Sequence, residues 1–286
     1  RQGIERANKS VMDAAKSLQA GTSIETASDD PVKASRLQRL QEFERDFTRF
    51  DRNRQLVKAD LDSADNVLGD VHQLVTDARD IALSMAGDSP GPGIRGDAAE
   101  TVRALVQQVI QLVNRQEASG KHLFTGLAED QPALDDNGVY QGNEGSRDVE
   151  IGPGAHVTAT LRGSDVFGPN NEVVSSMKEL LAALEADDAS ATRASLDSLD
   201  VARQTVSVAR TTVGGRLAMI SDVADTSLSL QTQLGIEQSD LVAVDVAKVA
   251  PALSGAQTML QAVVLTSRQI LDQVGQTVGA RVRIAP

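Results

Sequence analysis

One stretch of this chain limits what it can fold into more than any other. Leu40, Phe43, Phe47, Phe50, Arg54, Val57, Leu61, Ala64, Leu68, Val71, Val75, Ala78, Ala82 and Met85 follow one another in alternating steps of three and four, and only Arg54 is not apolar. A 3.5-residue period held over so many turns describes a helix packed along its length against other helices. Its ends are marked. Asp30 is expected to act as N-cap, with Pro31 at the first helical position, where a missing N–H costs nothing. The string Gly87-Asp88-Ser89-Pro90-Gly91-Pro92-Gly93 ends it. At 1.5 Å per residue, a helix over 31–86 is a rod of roughly 80 Å.

A second helix carries Ala98, Val102, Leu105, Val109 and Leu112 on one face, widened by Ile110 and Val113, and the short connection makes an antiparallel hairpin. Over 120–168 the texture changes. Alternating runs such as Val149-Glu150-Ile151 and His156-Val157-Thr158-Ala159-Thr160-Leu161 are separated by Asp136-Asn137-Gly138, Gly142-Asn143 and Gly152-Pro153-Gly154. This pattern predicts a small antiparallel sheet of hairpins. Helix returns over 173–186 and then as a long rod from about Ser190. Its face carries Leu196, Leu199, Ala202, Val206, Ala209, Val213, Leu217, Ile220 and Ala224.

The expected fold is therefore mainly α, an elongated antiparallel bundle of long helices with a small antiparallel β insertion. The bundle takes 31–119 and 169–237, and the β-hairpin subdomain takes 120–168. The two long seams, far apart in sequence, are expected to pack side by side. Terminal segments 1–30 and 238–286 carry weaker stripes (Ile4, Val11, Ala15 and Leu18; Leu241, Val244, Leu253, Leu260, Val264 and Leu271), the second interrupted by Pro251 and Gly255. Neither has an obvious partner except the other, so both are expected to order only when something covers them.

Composition narrows the function. Five Phe, one Tyr and no Trp leave small aliphatic side chains to build the core. A net charge of −12 argues against nucleic acid, whose phosphates need clustered Lys and Arg. The absence of cysteine excludes disulfides, thiolate metal sites and cysteine nucleophiles. No apolar run approaches the roughly 20 residues of a membrane span, and the first 20 residues hold no signal core. The chain begins at Arg1, so a short N-terminal piece is expected to precede it.

Three strings carry a family resemblance. Gly21-Thr22-Ser23-Ile24 with Ala27-Ser28-Asp29-Asp30-Pro31 resembles the segment after the first helix of flagellin-type proteins, the proline being closer to hook-associated protein 3. Leu123-Phe124-Thr125-Gly126, Val139-Tyr140-Gln141-Gly142-Asn143, Val149-Glu150-Ile151-Gly152 and Gly163-Ser164-Asp165-Val166-Phe167 resemble that family's β-rich insertion. Leu260-Gln261-Ala262 leading to Ile270-Leu271 is similar to its C-terminal helix, although Pro251 falls where the family keeps an unbroken helix and the tail after Gly275 runs past its usual apolar ending. The resemblance implies an extracellular structural subunit of the bacterial flagellum, joining hook to filament and exported unfolded without a cleaved signal peptide. It further implies terminal helices that form an inner tube on assembly. The implied partners are further copies in a ring, hook-associated protein 1, flagellin and an export chaperone. The alternative is flagellin itself.

No residue pattern points to chemistry. Gly91-Pro92-Gly93-Ile94-Arg95-Gly96 fits a dinucleotide pattern but follows a helix, where that fold needs a strand. Asp135-Asp136-Asn137-Gly138 lacks the acidic ligand a calcium loop requires at Ala133. His72, His122 and His156 are scattered, Asp29 and Asp30 start a helix, and no serine sits in a nucleophile elbow. The expectation is no catalytic, metal or cofactor site, no small-molecule substrate and no membrane contact. The residues that matter are then the bundle seam: Leu40, Phe43, Phe47, Phe50, Val57, Leu61, Leu68, Val71 and Val75 facing Leu199, Val206, Val213, Leu217 and Ile220.

Overall fold

Proline at the first turn and a glycine-proline stop bound the first long helix, α1, which runs Pro31–Met85. The computed structural model describes residues 31–243 apart from 89, 118 and 119, together with parts of 250–269 and positions 5, 9 and 12. Asp30 and most of the two terminal stripes lie outside the described residues. Helix α2 is Pro92–Val113, with Pro92 in its first turn rather than in the loop where the sequence reading put it. A hairpin follows, β1 Asp148–Gly152 and β2 Ala155–Thr158, and then α3 Gly163–Phe167, α4 Glu172–Glu185 and the second long helix, α5 Ala189–Val242. Gly255, read as an interruption, is itself helical.

The chain divides into two compact units, 1–45 with 230–286, and 46–229, and the division falls inside α1 and α5 rather than at their ends. In the unit 46–229 the seam of α1 from Val57 to Ala82 shares one core with Val102, Val106 and Val109 of α2, Met177 and Leu180 of α4, and Leu199, Val206, Val213 and Ile220 of α5. Ile151, Val157, Phe124 and Phe167 belong to that same core, so residues 120–168 pack into the bundle rather than standing apart as a body of their own. Removing each such Leu or Val from water contributes about 1.5–3 kcal/mol, which is how a core with few aromatics is stabilised. Phe124 and Phe167 meet edge to face, with centroids 5.5 Å apart, at the centre of the insertion.

Cross-helix pairs fix the register of the rods. Arg79 reaches Asp200 at 2.8 Å, Arg210 reaches Asp65 at 3.0 Å, and Arg54 reaches Ser227 at 3.2 Å. Rising numbers on one helix meet falling numbers on the other, so α1 and α5 run antiparallel.

The insertion is built on turns. Asp135 Oδ1 accepts from the N–H groups of Asn137 and Val139, which occupies the carboxylate that a calcium reading would have needed. Gly138 and Gly154 take the positive φ that the two tight turns require. The strand pairing slips between Glu150 and Gly152, leaving a bulge at Ile151.

In the unit 1–45 with 230–286, Arg36 pairs with Glu237 at 2.5 Å and Leu40 is buried. Phe43 is a correction. It is 52% exposed, although the heptad places it on the seam. Periodicity marks a face but does not supply the full cover that burial requires.

Candidate assembly surfaces

The polar groups that order this molecule join elements far apart in sequence. Arg54, the one charged residue in the seam, is 5% exposed. Its Nη1 donates to the Ile151 carbonyl at 2.7 Å and to the Ser227 hydroxyl at 3.2 Å, and Nη2 donates to Asp51 at 3.2 Å. The bulge frees the carbonyl of Ile151 from the ladder, and Arg54 takes it. Next to it, Asn53 Nδ2 donates to the Glu150 carbonyl at 2.8 Å. From the other side Arg216 of α5 donates to the carbonyls of Thr158 and Thr160 at 3.2 and 3.1 Å, its pKa lowered by burial. The hairpin is thus gripped by one arginine from each long helix.

The C-terminus of α1 has no basic residue of its own in the last turn. Arg95 of α2 supplies one, donating to the carbonyls of Met85 at 3.2 Å and Gly87 at 2.6 Å and pairing with Asp187 at 2.6 Å. Arg193 of α5 donates to the Ala86 carbonyl at 2.6 Å. Two guanidinium groups therefore satisfy carbonyls that the helix leaves open and oppose its dipole. Asn114, the C-cap of α2, pins the insertion by donating to the Leu134 carbonyl at 2.6 Å and accepting from the Leu134 N–H at 2.8 Å.

The two resemblance strings of the insertion are stitched together. Asn143 N donates to the Thr125 carbonyl at 3.0 Å, and its side-chain oxygen accepts from Leu127 and Gly145, both at 2.9 Å. The Tyr140 hydroxyl accepts from Gly163 N at 3.0 Å and donates to the Asn143 carbonyl at 3.3 Å. Burial raises the Tyr140 pKa.

The seam residues are placed as follows. Leu40, Phe47, Phe50, Val57, Leu61, Leu68, Val71 and Val75 are buried on α1, and Leu199, Val206, Val213 and Ile220 are buried on α5. Leu217 is half-buried against the core, and Pro31 opens α1. Periodicity missed Arg95, Arg193, Asn114 and Arg216, because each acts on a carbonyl many residues away and none repeats.

The polar cleft beside the buried histidine is small. His122 is buried beside Asp60, Glu117, Lys121, Glu129 and Arg147 around a cavity of about 20 Å³. Among the described residues no group of His, Asp or Glu could hold a metal ion, and no helix is long and apolar enough to cross a membrane. Burial, and then the charge of Glu117, raise the Asp60 pKa above its ordinary 3.8. The folded chain therefore holds that proton more tightly than the unfolded chain. Ionised Asp60 costs stability in full above its folded pKa, and the cost shrinks as pH falls below that value and is gone only below the ordinary 3.8. Asp60→Asn is expected to raise the melting temperature at pH 7, with a gain that fades on acidification and is lost below about the ordinary 3.8, where Asp60 is neutral in both the folded and the unfolded chain. Thermal denaturation at both pH values checks this; a gain that does not fade on acidification would refute it.

Two exposed apolar surfaces lie on the long helices. On α1, Leu56 stands in solvent at 68% exposure with Arg52 one turn before it. On the α5 side, Val201 and Val208 line an open groove of about 560 Å³ together with Pro169, Glu172, Gln204 and Thr205.

Comparison with known proteins agrees with the fold. Residues 1–129 match the family described as the bacterial flagellin N-terminal helical region. No protein of curated function matches the sequence. A putative flagellar hook-associated protein from Vibrio parahaemolyticus is similar with TM-score 0.68 at 23% identity, covering 75% of this chain and 100% of its own. Hook-associated protein 3 from Legionella pneumophila gives 0.65 at 12% identity, covering 71% of this chain and 98% of its own. FlgL from Xanthomonas campestris gives 0.63 at 16% identity, covering 70% and 99%. By residues 1–129 the chain is similar to the N-terminal helical region of bacterial flagellins, and by fold it is similar to flagellar hook-associated protein structures, hook-associated protein 3 among them.

Proposed function

We propose that this chain is a structural, non-enzymatic axial subunit of the bacterial flagellum that joins the hook to the flagellin filament. The observation that carries the reading is the joint one: antiparallel long helices with a hairpin insertion sharing their core, in a fold that spans nearly the whole length of hook-associated protein 3 structures. Braces between distant elements suit a part that bears load, and the seams are longer than one compact domain needs. Copies of the chain form a ring. Hook-associated protein 1 lies on one side of it and flagellin on the other, and the terminal segments 1–30 and 238–286 pair as an inner tube during assembly. Delivery through the flagellar export apparatus, with a chaperone and without a cleaved signal peptide, completes the proposal.

Deleting the gene and viewing the cells by electron microscopy tests it. Hooks without filaments, with flagellin released into the medium, are the expected result. The flagellin reading predicts instead a finished hook and junction without filament. Full filaments in the deletion strain would remove both readings.

A further inference from the structure

The Val201–Val208 groove and the Leu56 stripe complement each other. Val201 and Val208 are 57% and 53% exposed, one heptad apart on α5, on a face directed away from the core. Their rim holds Asp165, Glu172 and Asp200. Asp165 is answered by Arg162 within the chain, and Asp200 by Arg79 and Arg203. Glu172 accepts only long hydrogen bonds from Asn170, at 3.3 and 3.5 Å, and meets no cation within ion-pair distance among the described residues. Leu56 and Arg52 stand exposed one turn apart on α1, and Arg52 likewise has no carboxylate partner among the described residues. One surface offers an apolar trough with an anion that no cation pairs. The other offers an apolar knob with an unanswered cation.

We infer that the α1 stripe of Leu56 and Arg52 on one copy docks into the α5 groove of Val201, Val208 and Glu172 on the next. The inference rests on the structural-subunit reading above and names the surfaces that carry its self-contact. A net charge of −12 makes indiscriminate association of copies unfavourable, so contact depends on a local match of opposite signs. The two surfaces are different patches. The contact is therefore head to tail, which propagates from copy to copy around an axis instead of ending at a dimer.

The chain has no cysteine, so thiols can be introduced without background. Leu56→Cys and Val208→Cys are made singly and together, each variant as the only copy in the cell, and sheared flagella are treated with a short bis-maleimide. The double variant is expected to give a ladder of dimers, trimers and higher species, and each single variant none. Dimers from a single variant, joining of either cysteine to a different flagellar protein, or no ladder from flagella that keep their filaments would each overturn the docking. A second measurement uses charge. Arg52→Glu and Glu172→Arg are each expected to reduce the number of retained filaments about tenfold, and the double reversal to restore them. Failure of the double reversal to restore them also overturns it. If the deletion strain keeps its filaments, it is the junction function that fails, and the outcome is distinguishable because no variant is involved.

Discussion

Replacing Gly126 with alanine is expected to destabilise the chain by about 3–5 kcal/mol, through strain and overpacking together. Gly126 sits at φ 66°, a conformation that a side chain rarely tolerates. A Cβ there would lie 2.2 Å from the backbone carbonyl oxygen of Asn143, 2.7 Å from its side-chain oxygen and 3.0 Å from the carbonyl of Gly145. None of these can swing aside cheaply. Asn143 holds Thr125 on one side and Leu127 and Gly145 on the other, and Gly126 N itself donates to the Leu161 carbonyl at 3.1 Å. Relief of the clash therefore breaks the stitch between the two strings of the insertion. Because Phe124 lies two residues away in the shared core, the damage reaches the helices. Urea unfolding followed by far-ultraviolet dichroism measures the loss. A variant within about 1 kcal/mol of the parent would show that the turn relaxes elsewhere.

Arg54→Ala is the second large effect, expected at about 3–4 kcal/mol from a cavity in the seam plus stranded polar groups. The substitution leaves the carbonyl of Ile151 and the buried hydroxyl of Ser227 without their donor. Arg54→Met keeps most of the volume and strands the same two groups, so the difference between the variants separates packing from hydrogen bonding. Denaturant midpoints of both give the partition. Equal stability of the alanine variant and the parent would mean that water replaces the guanidinium at no cost.

These two residues mark where reading the sequence succeeds and where it stops. Heptad spacing located both rods and most of their buried positions, because helical periodicity is a local property of the chain. Pro31 and the glycine-proline run gave the bounds of α1 for the same reason. Asp135 to Gly138 was legible as a turn because a short carboxylate can satisfy its own backbone two residues on. Arg54 was visible only as a break in an apolar pattern. Its reason lies 97 residues away, in a bulged carbonyl that no spacing records. Phe43 failed in the opposite sense, since an apolar residue at the right phase says nothing of whether a neighbour arrives. The division of the chain near residues 45 and 230 lies inside unbroken helices, where composition does not change. The groove on α5 was illegible too, because Val201 and Val208 share a period with the seam residues and differ from them only in direction.

The two guanidinium groups at the tip of α1 have a mechanical consequence. A pull or twist applied along that helix meets Arg95 and Arg193 on the carbonyls of Met85, Ala86 and Gly87 before it reaches the glycine-proline link beyond them. Load on that end of α1 is therefore shared with α2 and α5 through charged hydrogen bonds rather than resting on the link alone.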